Sequence, residues 1–190
     1  MKIQDAVKEY VSLLIESRVI HSLIISSPPG FGKTSLILEE MNKLCYEQNE
    51  DYKYITGHIT PMKFYEMLSE SRTLKNGGLV ILDDCDTLLT NKTSVGLLKS
   101  ALSEANGKRM VTYDSRVIIE KEFNFEGKII IITNHLNKNK VLLPLCDRSF
   151  VYDFELDKDE LLVYIKEKLP EMYPDISLHN KIAIFDKIKR

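Results

Sequence analysis

Apolar residues recur along this chain with two kinds of spacing, one typical of helices and one typical of buried strands. Between residues 3 and 17 they return every three or four positions, which predicts an amphipathic helix ahead of the first strand. The continuous apolar run at 79–82 instead suits a strand that is covered on both faces of a parallel sheet, and the largely apolar segments 19–26 and 128–134 are also predicted strands. Because strands alternate with helices, we predict a three-layer α/β fold built on a parallel sheet. Further predicted helices cover 33–48, 61–71, 95–105, a segment from the cap Asp157 to about Lys168, and part of 171–190, and further predicted strands cover 52–59 and 149–154.

Residues 107–127 interrupt this alternation. Met110–Ile119 and Glu122–Phe125 are short stretches rich in β-forming residues, which predicts a hairpin inserted between sheet elements. Basic side chains next to an aromatic one can follow a phosphate backbone and stack on a base, so the segment is a candidate DNA contact. The alternative, a solvated hairpin whose charges prevent edge pairing, stays open. The residues concerned are Lys108, Arg109, Tyr113, Arg116 and Lys121, mixed with Asp114 and Glu120.

The composition is that of an ordinary globular protein. With 190 residues, of which 44% are hydrophobic and 28% charged, the chain is long enough for one α/β domain with a buried core and a small appendage. The formal net charge is −2, so no overall basic field attracts nucleic acid. Any contact with DNA must therefore be local.

The lack of a recognisable targeting signal and the spacing of the cysteines predict a cytoplasmic protein of a bacterium or of a phage-infected host. The N-terminal segment MKIQDAVKEY is too charged for a secretory signal, and no apolar run approaches the length of a membrane helix. Cys45, Cys85 and Cys146 have no paired spacing for zinc or redox chemistry, and we interpret them as reduced structural thiols. No membrane partner is expected.

The segment SPPGFGKTS, residues 27–35, lies between the first predicted strand and the helix that follows it. A strand, a glycine-rich turn and a helix start in this order bind the phosphates of a nucleoside triphosphate. Gly30 and Gly32 let the backbone curl so that N–H groups point at phosphate oxygens. Lys33 reaches the β- and γ-phosphates, and Thr34 offers its hydroxyl to Mg²⁺. The predicted nucleotide-binding residues are Pro29, Gly30, Phe31, Gly32, Lys33, Thr34 and Ser35.

Acidic residues end the apolar run in LVILDDCD. Beside a P-loop, the first acid after such a strand holds the Mg²⁺ shell and the next one activates water. Asp83 is therefore a predicted metal-site residue and Asp84 a predicted catalytic residue. The alternative is that Asp83, Asp84 and Asp86 are solvated caps of the following helix. The glycine-rich turn and the acid-ended strand together are far more specific than either one alone.

Four segments in this order, SPPGFGKT, LVILDDCD, IIIITN and CDRSF, resemble the ATPase domain of the AAA+ superfamily, a P-loop family of the ASCE type. The resemblance covers roughly residues 3–170. It implies a five-stranded parallel sheet, with the acid-ended Walker B strand and the sensor strand beside the P-loop strand, and a small C-terminal helical lid. It also implies ATP and Mg²⁺ as ligands, a core over residues 1–155 and a partial lid over 156–190. The N-terminal helix and Val19–Ile20 are candidates to line an adenine pocket.

The same resemblance assigns roles to two further residues. Asn134 corresponds to sensor 1, which orients the attacking water or touches the γ-phosphate; a strand-end asparagine that makes a turn is the alternative. Arg148 stands where the arginine finger of a neighbouring subunit is expected. A surface ion pair with Asp147 or Asp153 is its alternative. With Arg148 acting in trans, the active form is a homo-oligomeric ring and the isolated chain is a poor ATPase.

The chain departs from the family pattern at three points. Ser27 replaces the first glycine of the turn, which is tolerated where the backbone angles suit an L-residue. Asp84 is one methylene shorter than the glutamate usual in Walker B, so its reach changes and turnover can be slow. No sensor 2 arginine can be placed before Arg190, so either the lid is reduced or the chain is truncated.

Three functions are consistent with these features. The first is an ATP-hydrolysing motor or loader acting on DNA in replication, recombination or packaging, similar to phage helicases and helicase loaders. The second is an ATP-dependent remodeller of protein partners that grips polypeptide with Met110 or Tyr113. The third is an ATP-bound assembly switch with little hydrolysis, which the short side chain of Asp84 favours. A small-molecule kinase fits less well, because Asn134 and Arg148 follow the AAA+ order.

Overall fold

The computed structural model of this protein describes residues 3–134, 136, 143–154, 158–170 and 174–188. The chain divides into two compact units, Met1–Asp153 and Phe154–Arg190. The predicted helix cap Asp157 lies outside the described residues. Within the part that the structure describes, no helix has both the length and the apolar character needed to cross a bilayer.

The first unit is built on a parallel sheet of five strands, which confirms the predicted α/β fold. The sheet has the order β2–β3–β6–β1–β7, while β4 and β5 form a separate antiparallel ribbon. The central strands β1, β3 and β6 are buried almost throughout, which explains their largely apolar sequences. In chain order the strands are β1 (Ser22–Ser26), β2 (Tyr52–Thr56), β3 (Leu79–Asp83), β4 (Met110–Thr112), β5 (Glu122–Asn124), β6 (Lys128–Thr133) and β7 (Phe150–Asp153).

The longer helices lie close to their predicted positions. One of them starts where the Thr60 side chain accepts a hydrogen bond from the Lys63 N–H, with Pro61 in the first turn. Another ends at Lys43 rather than at residue 48, because Cys45 has a left-handed backbone with φ of 58°. In chain order the helices are α1 (Ile3–Glu16), α2 (Lys33–Lys43), α3 (Pro61–Ser71), α4 (Asp86–Thr90), α5 (Lys92–Leu102), α6 (Leu143–Cys146), α7 (Lys158–Lys168) and α8 (Leu178–Ile188).

The order of the strands corrects one expectation. Strand β6, which ends before Asn134, is a neighbour of the P-loop strand β1, but the acid-ended strand β3 pairs with β6 and β2 and not with β1. The register aligns Ser26 with Thr133, and it aligns Asp83 with Ile132. The carboxyl ends of β1, β6 and β3 therefore reach the same end of the sheet, where the segments that follow them meet.

The predicted hairpin within 107–127 is present as the ribbon β4–β5. The loop between its strands is held against α3 by a hydrogen bond of 2.8 Å, which the Tyr65 hydroxyl donates to the backbone oxygen of Glu120. The outer part of this loop carries Val117 and Ile119, which are 76% and 100% exposed. The insertion therefore presents apolar side chains to solvent in addition to its charges.

Arg109, one of the basic candidates for a DNA contact, has a structural role. Its side chain is only 5% exposed, and Nη1 donates hydrogen bonds to the backbone oxygens of Ala101 (3.1 Å) and Gly127 (2.9 Å). Its guanidinium carbon lies 5.3 Å from the ring centre of Phe125. Burial lowers the pKa of Arg109 to about 10, so the group is still charged at neutral pH. The buried side chain of Arg109 is therefore not available to contact DNA.

Replacing Arg109 by methionine is expected to destabilise the protein by roughly 2–4 kcal/mol, because the two carbonyl oxygens lose buried donors while the volume is kept. The measurement is the free energy of unfolding in urea. Lys108→Met is the matched control, since Lys108 is exposed and adjacent. Equal stability of the two variants would contradict the structural role of Arg109.

Candidate nucleotide-binding site

The glycine-rich turn has the backbone conformation that the motif requires. Gly30 and Gly32 have φ values of 90° and 70°, in the left-handed region that favours glycine. Gly32 is the N-cap of α2, and among the described residues no side chain makes a capping hydrogen bond there. The first N–H groups of α2 are therefore suited to an anionic ligand. Ser27 does not have a positive φ, so a serine is accommodated where the pattern has glycine.

A cleft of about 250 Å³ lies at the carboxyl end of the sheet. The structure brings together there most of the residues predicted for nucleotide, metal and catalysis. Phe31 and Arg148 are not part of the lining, and the side chain of Phe31 is buried. The cleft is lined by Pro29, Gly30, Gly32, Lys33, Thr34, Ser35, Asp83, Asp84 and Asn134.

Lys33 is folded onto the loop that precedes it. Its amine donates hydrogen bonds to the backbone oxygens of Ser27 (2.8 Å) and Pro28 (3.1 Å) and to Oδ1 of Asn134 (3.0 Å). Burial lowers the pKa of Lys33, while the nearby charges of Asp84 and Asp83 act in the opposite direction. A phosphate oxygen entering the cleft can replace these neutral acceptors with a charged and therefore stronger one.

The carboxylate of Asp83 receives two hydrogen bonds on one oxygen. Thr34 Oγ1 donates to Oδ2 at 2.7 Å, and the Tyr54 hydroxyl donates to the same oxygen at 2.6 Å. The other oxygen, Oδ1, is buried and has no hydrogen-bond partner among the described residues. Burial, followed by the hydrogen bond to Asp83, raises the pKa of Tyr54, so its hydroxyl keeps its proton at neutral pH.

Thr34 and Asp83 fit a magnesium site that needs a nucleotide to complete it. Mg²⁺ prefers oxygen ligands and is usually held by one or two carboxylates together with substrate phosphates and water. The unpartnered Oδ1 of Asp83 is such an oxygen, and the Thr34 hydroxyl keeps its lone pairs while it donates its hydrogen. Across the described part of the chain, no three His, Cys, Asp or Glu side chains form a group that could hold a metal alone.

Asn134 connects Lys33 with Asp84. Its Oδ1 accepts the hydrogen bond from Lys33, and its Nδ2 donates one of 2.8 Å to Oδ1 of Asp84. Asp84 has a left-handed backbone with φ of 49°, and its N–H donates to the Ile132 oxygen at 3.0 Å. This backbone geometry presents the exposed Asp84 side chain to the cleft, next to Asn134.

Arg148 does not lie at this cleft. It precedes β7 at the amino end of the sheet, where its backbone oxygen accepts a hydrogen bond from Ser22 Oγ and its Nη1 donates to the Pro144 oxygen. Arg148 is exposed and lines a second cavity together with Val19 and Ile20. Arg148 therefore cannot act on the P-loop of its own chain.

The expectation that Val19 and Ile20 line an adenine pocket is wrong, because they lie at the end of β1 opposite to the P-loop.

Tyr54 also belongs to this site, although the sequence pattern did not indicate it. Its place in the predicted strand 52–59 was evident, but its contact depends on β2 pairing with β3 so that Tyr54 lies opposite Ile81, two residues before Asp83. A tyrosine on an edge strand has nothing in its local sequence that indicates a contact with Asp83.

Cys85 behaves as predicted for a structural thiol, because burial raises its pKa to about 11.

No protein-family model matches this sequence. The chain is 29% identical over 163 residues to the "Uncharacterized 36.7 kDa protein in nrdC-mobD intergenic region" of Enterobacteria phage T4. The match covers 78% of this chain and 49% of the phage protein, so the chain spans about half the length of this relative. The name of the relative states no ligand or activity, and the function proposed below rests on the geometry of the site.

Proposed function

We propose that this protein binds ATP with Mg²⁺ in the cleft and hydrolyses it. The observation that carries the proposal is the convergence of a P-loop lysine, a threonine–aspartate pair and a second acid, although Lys33 and Asn134 are 101 positions apart in the chain. The glycine conformations and the uncapped start of α2 support phosphate binding at this place.

Each residue has a chemical role in the proposed reaction. Lys33 and the first N–H groups of α2 bind the phosphates. Thr34 and Asp83 would hold Mg²⁺, which would neutralise negative charge on the phosphates. Asp84 accepts a proton from the water whose oxygen bonds to the γ-phosphorus, while the bond from that phosphorus to the bridging oxygen breaks and ADP leaves. Asn134 donates to Oδ1 of Asp84, which orients the carboxylate and leaves its other oxygen for the water.

We propose further that the protein is a member of the AAA+ group and acts as a DNA motor or loader in the bacterial or phage-infected cytoplasm. The order of the motifs and the position of Asn134 between Lys33 and Asp84 support this class. The similarity to a phage protein supports a phage origin. Lys108 and Arg116 are exposed on the insertion and are the candidates for DNA contact.

The test is phosphate release from ATP, measured without DNA and with single- or double-stranded DNA at low and moderate salt. We expect hydrolysis that depends on Mg²⁺ and rises with DNA. Hydrolysis without any stimulation by DNA would reject the DNA role and keep the ATPase. ATP-dependent oligomers without phosphate release would favour the assembly switch.

The exposed loop of the insertion favours a second candidate, an ATP-dependent remodeller of protein partners. Val117 and Ile119 present apolar surface, and the burial of Arg109 removes one of the cations expected to meet DNA. A protein partner retained by the ATP-bound form but not by the ADP-bound form, and lost on Ile119→Ser, would support this function over DNA binding.

Arg148 is proposed to complete the active site of a neighbouring copy of the chain. We expect Arg148→Ala and Lys33→Ala to be inactive separately and to regain part of the hydrolysis when mixed, because some interfaces then combine an intact P-loop with an intact arginine. Arg18→Ala is the control, since Arg18 lines the same cavity as Arg148. Full activity of a monomeric protein, or no recovery on mixing, would exclude a shared site.

A further inference from the structure

We infer that Tyr54 is a positioning residue for the metal site: its hydroxyl orients the Asp83 carboxylate so that one oxygen remains available to the Mg²⁺ of the bound nucleotide. The inference rests on the proposed ATP site and adds a residue to it from outside the P-loop motifs. It follows from the hydrogen bonds, the strand pairing and the unequal surroundings of the two carboxylate oxygens.

Strand pairing brings Tyr54 to Asp83. β2 runs parallel to β3, with Tyr54 opposite Ile81 and Thr56 opposite Asp83. The tyrosine side chain is long enough to reach along the strand, and its half-buried hydroxyl lies 2.6 Å from Oδ2 of Asp83. A hydrogen bond to an ionised carboxylate is short and strong compared with one between neutral groups, which suits an orienting role.

The two carboxylate oxygens of Asp83 differ in their hydrogen-bond partners. Oδ2 accepts hydrogen bonds from both Thr34 and Tyr54, whereas Oδ1 is buried without a partner among the described residues. Such an unsatisfied buried acceptor is costly unless a ligand or an ordered water completes it. The asymmetry fits a carboxylate that is held by one oxygen and offers the other one to a cation or its water shell.

Tyr54 acts from a different element than the P-loop. Thr34 lies in the first turn of α2 and is expected to meet the metal itself, so its contact with Asp83 can change when a nucleotide binds. Tyr54 belongs to β2 and keeps its donor on Oδ2 independently of the loop. Partners of this kind, which orient a metal-ligating carboxylate, typically change metal affinity by about 10- to 100-fold when they are removed.

The experiment compares the wild type with Tyr54→Phe, which removes only the hydroxyl, and with Tyr52→Phe as the matched control. Tyr52 is a buried tyrosine at the start of the same strand, two residues before Tyr54. Binding of a fluorescent ATP analogue is titrated without a divalent cation and then at increasing Mg²⁺, and bound Mn²⁺ is measured by electron paramagnetic resonance. For Tyr54→Phe we expect unchanged binding without the cation and an increase of about 10-fold or more in the half-saturating Mg²⁺ or Mn²⁺ concentration.

A double-mutant cycle with Asp83→Asn separates positioning from general loss of structure. Tyr54→Phe is expected to have no further effect on the cation dependence in the Asp83→Asn background, since the oriented group is then already lost. The inference is overturned if Tyr54→Phe titrates like the wild type, if Tyr52→Phe shows the same defect, or if the two effects add. A wild-type protein that binds no nucleotide with or without Mg²⁺ would instead reject the proposed function.

Discussion

Replacing Lys33 by alanine is expected to weaken ATP binding by roughly 30-fold or more and to abolish hydrolysis, because truncating a buried charged partner typically costs about 2–5 kcal/mol. Lys33 is the buried cation at the cleft, and its amine already points at the loop carbonyls and Asn134. Without it, the triphosphate faces the negative charges of Asp83 and Asp84 with one cation fewer. Binding is measured with a fluorescent ATP analogue, and hydrolysis by phosphate release.

Lys43→Ala is the matched control for this prediction. Lys43 lies in the last turn of the same helix and pairs with Glu39 at the surface, where ion pairs contribute little. This variant is expected to bind ATP like the wild type. The unfolding temperature without nucleotide shows whether each variant is folded. A folded Lys33→Ala protein that binds ATP with wild-type affinity would show that the cleft is not a triphosphate site.

Replacing Asp84 by asparagine is expected to leave ATP binding within a few fold of the wild type and to reduce the rate of hydrolysis by about 100-fold or more. The amide has nearly the same shape, and its oxygen can still accept the hydrogen bond from Asn134 Nδ2. It cannot accept a proton from water. The measurements are single-turnover phosphate release and, in parallel, analogue binding.

Asp86→Asn is the control for the role of Asp84. Asp86 belongs to the same acidic segment and is exposed in the first turn of α4, so its charge contributes a similar long-range field without proton transfer. We expect hydrolysis within about twofold of the wild type for this variant. Asp84→Glu, which restores the longer acid, is expected to hydrolyse at least as fast as the wild type. Wild-type hydrolysis by Asp84→Asn would assign proton transfer to another group.

Hydrophobic patterning predicted the elements well where a whole segment is buried. β1, β3 and β6 are central strands covered on both sides, and this burial requires the largely apolar sequences from which they were predicted. The end of α2 was missed, because a left-handed Cys45 terminates the helix without a glycine or proline to indicate it. Boundaries of this kind depend on the packing of neighbouring elements.

The candidate site was predictable in its P-loop and acidic parts but not in its cross-strand contacts. Arg109 looks like a surface cation in the sequence, yet the fold buries it against the oxygens of Ala101 and Gly127. Phe31 lies within the motif, but its side chain is buried and does not line the cleft. In both cases the sequence gives the chemical type of the side chain, and the packing of the surrounding elements determines whether that side chain is buried or exposed.

The sequence by itself determined the local chemistry of this protein: two glycines that permit left-handed backbone, Lys33 and Thr34 at a helix start, and Asp83 and Asp84 where a buried strand ends. These features depend on residues that are neighbours in the chain. Only the tertiary structure decided that β6 lies between β1 and β3, so that Asn134 bridges Lys33 and Asp84, and that Tyr54 reaches Asp83 from β2. Strand order is set by pairing between distant segments, and no local pattern encodes it.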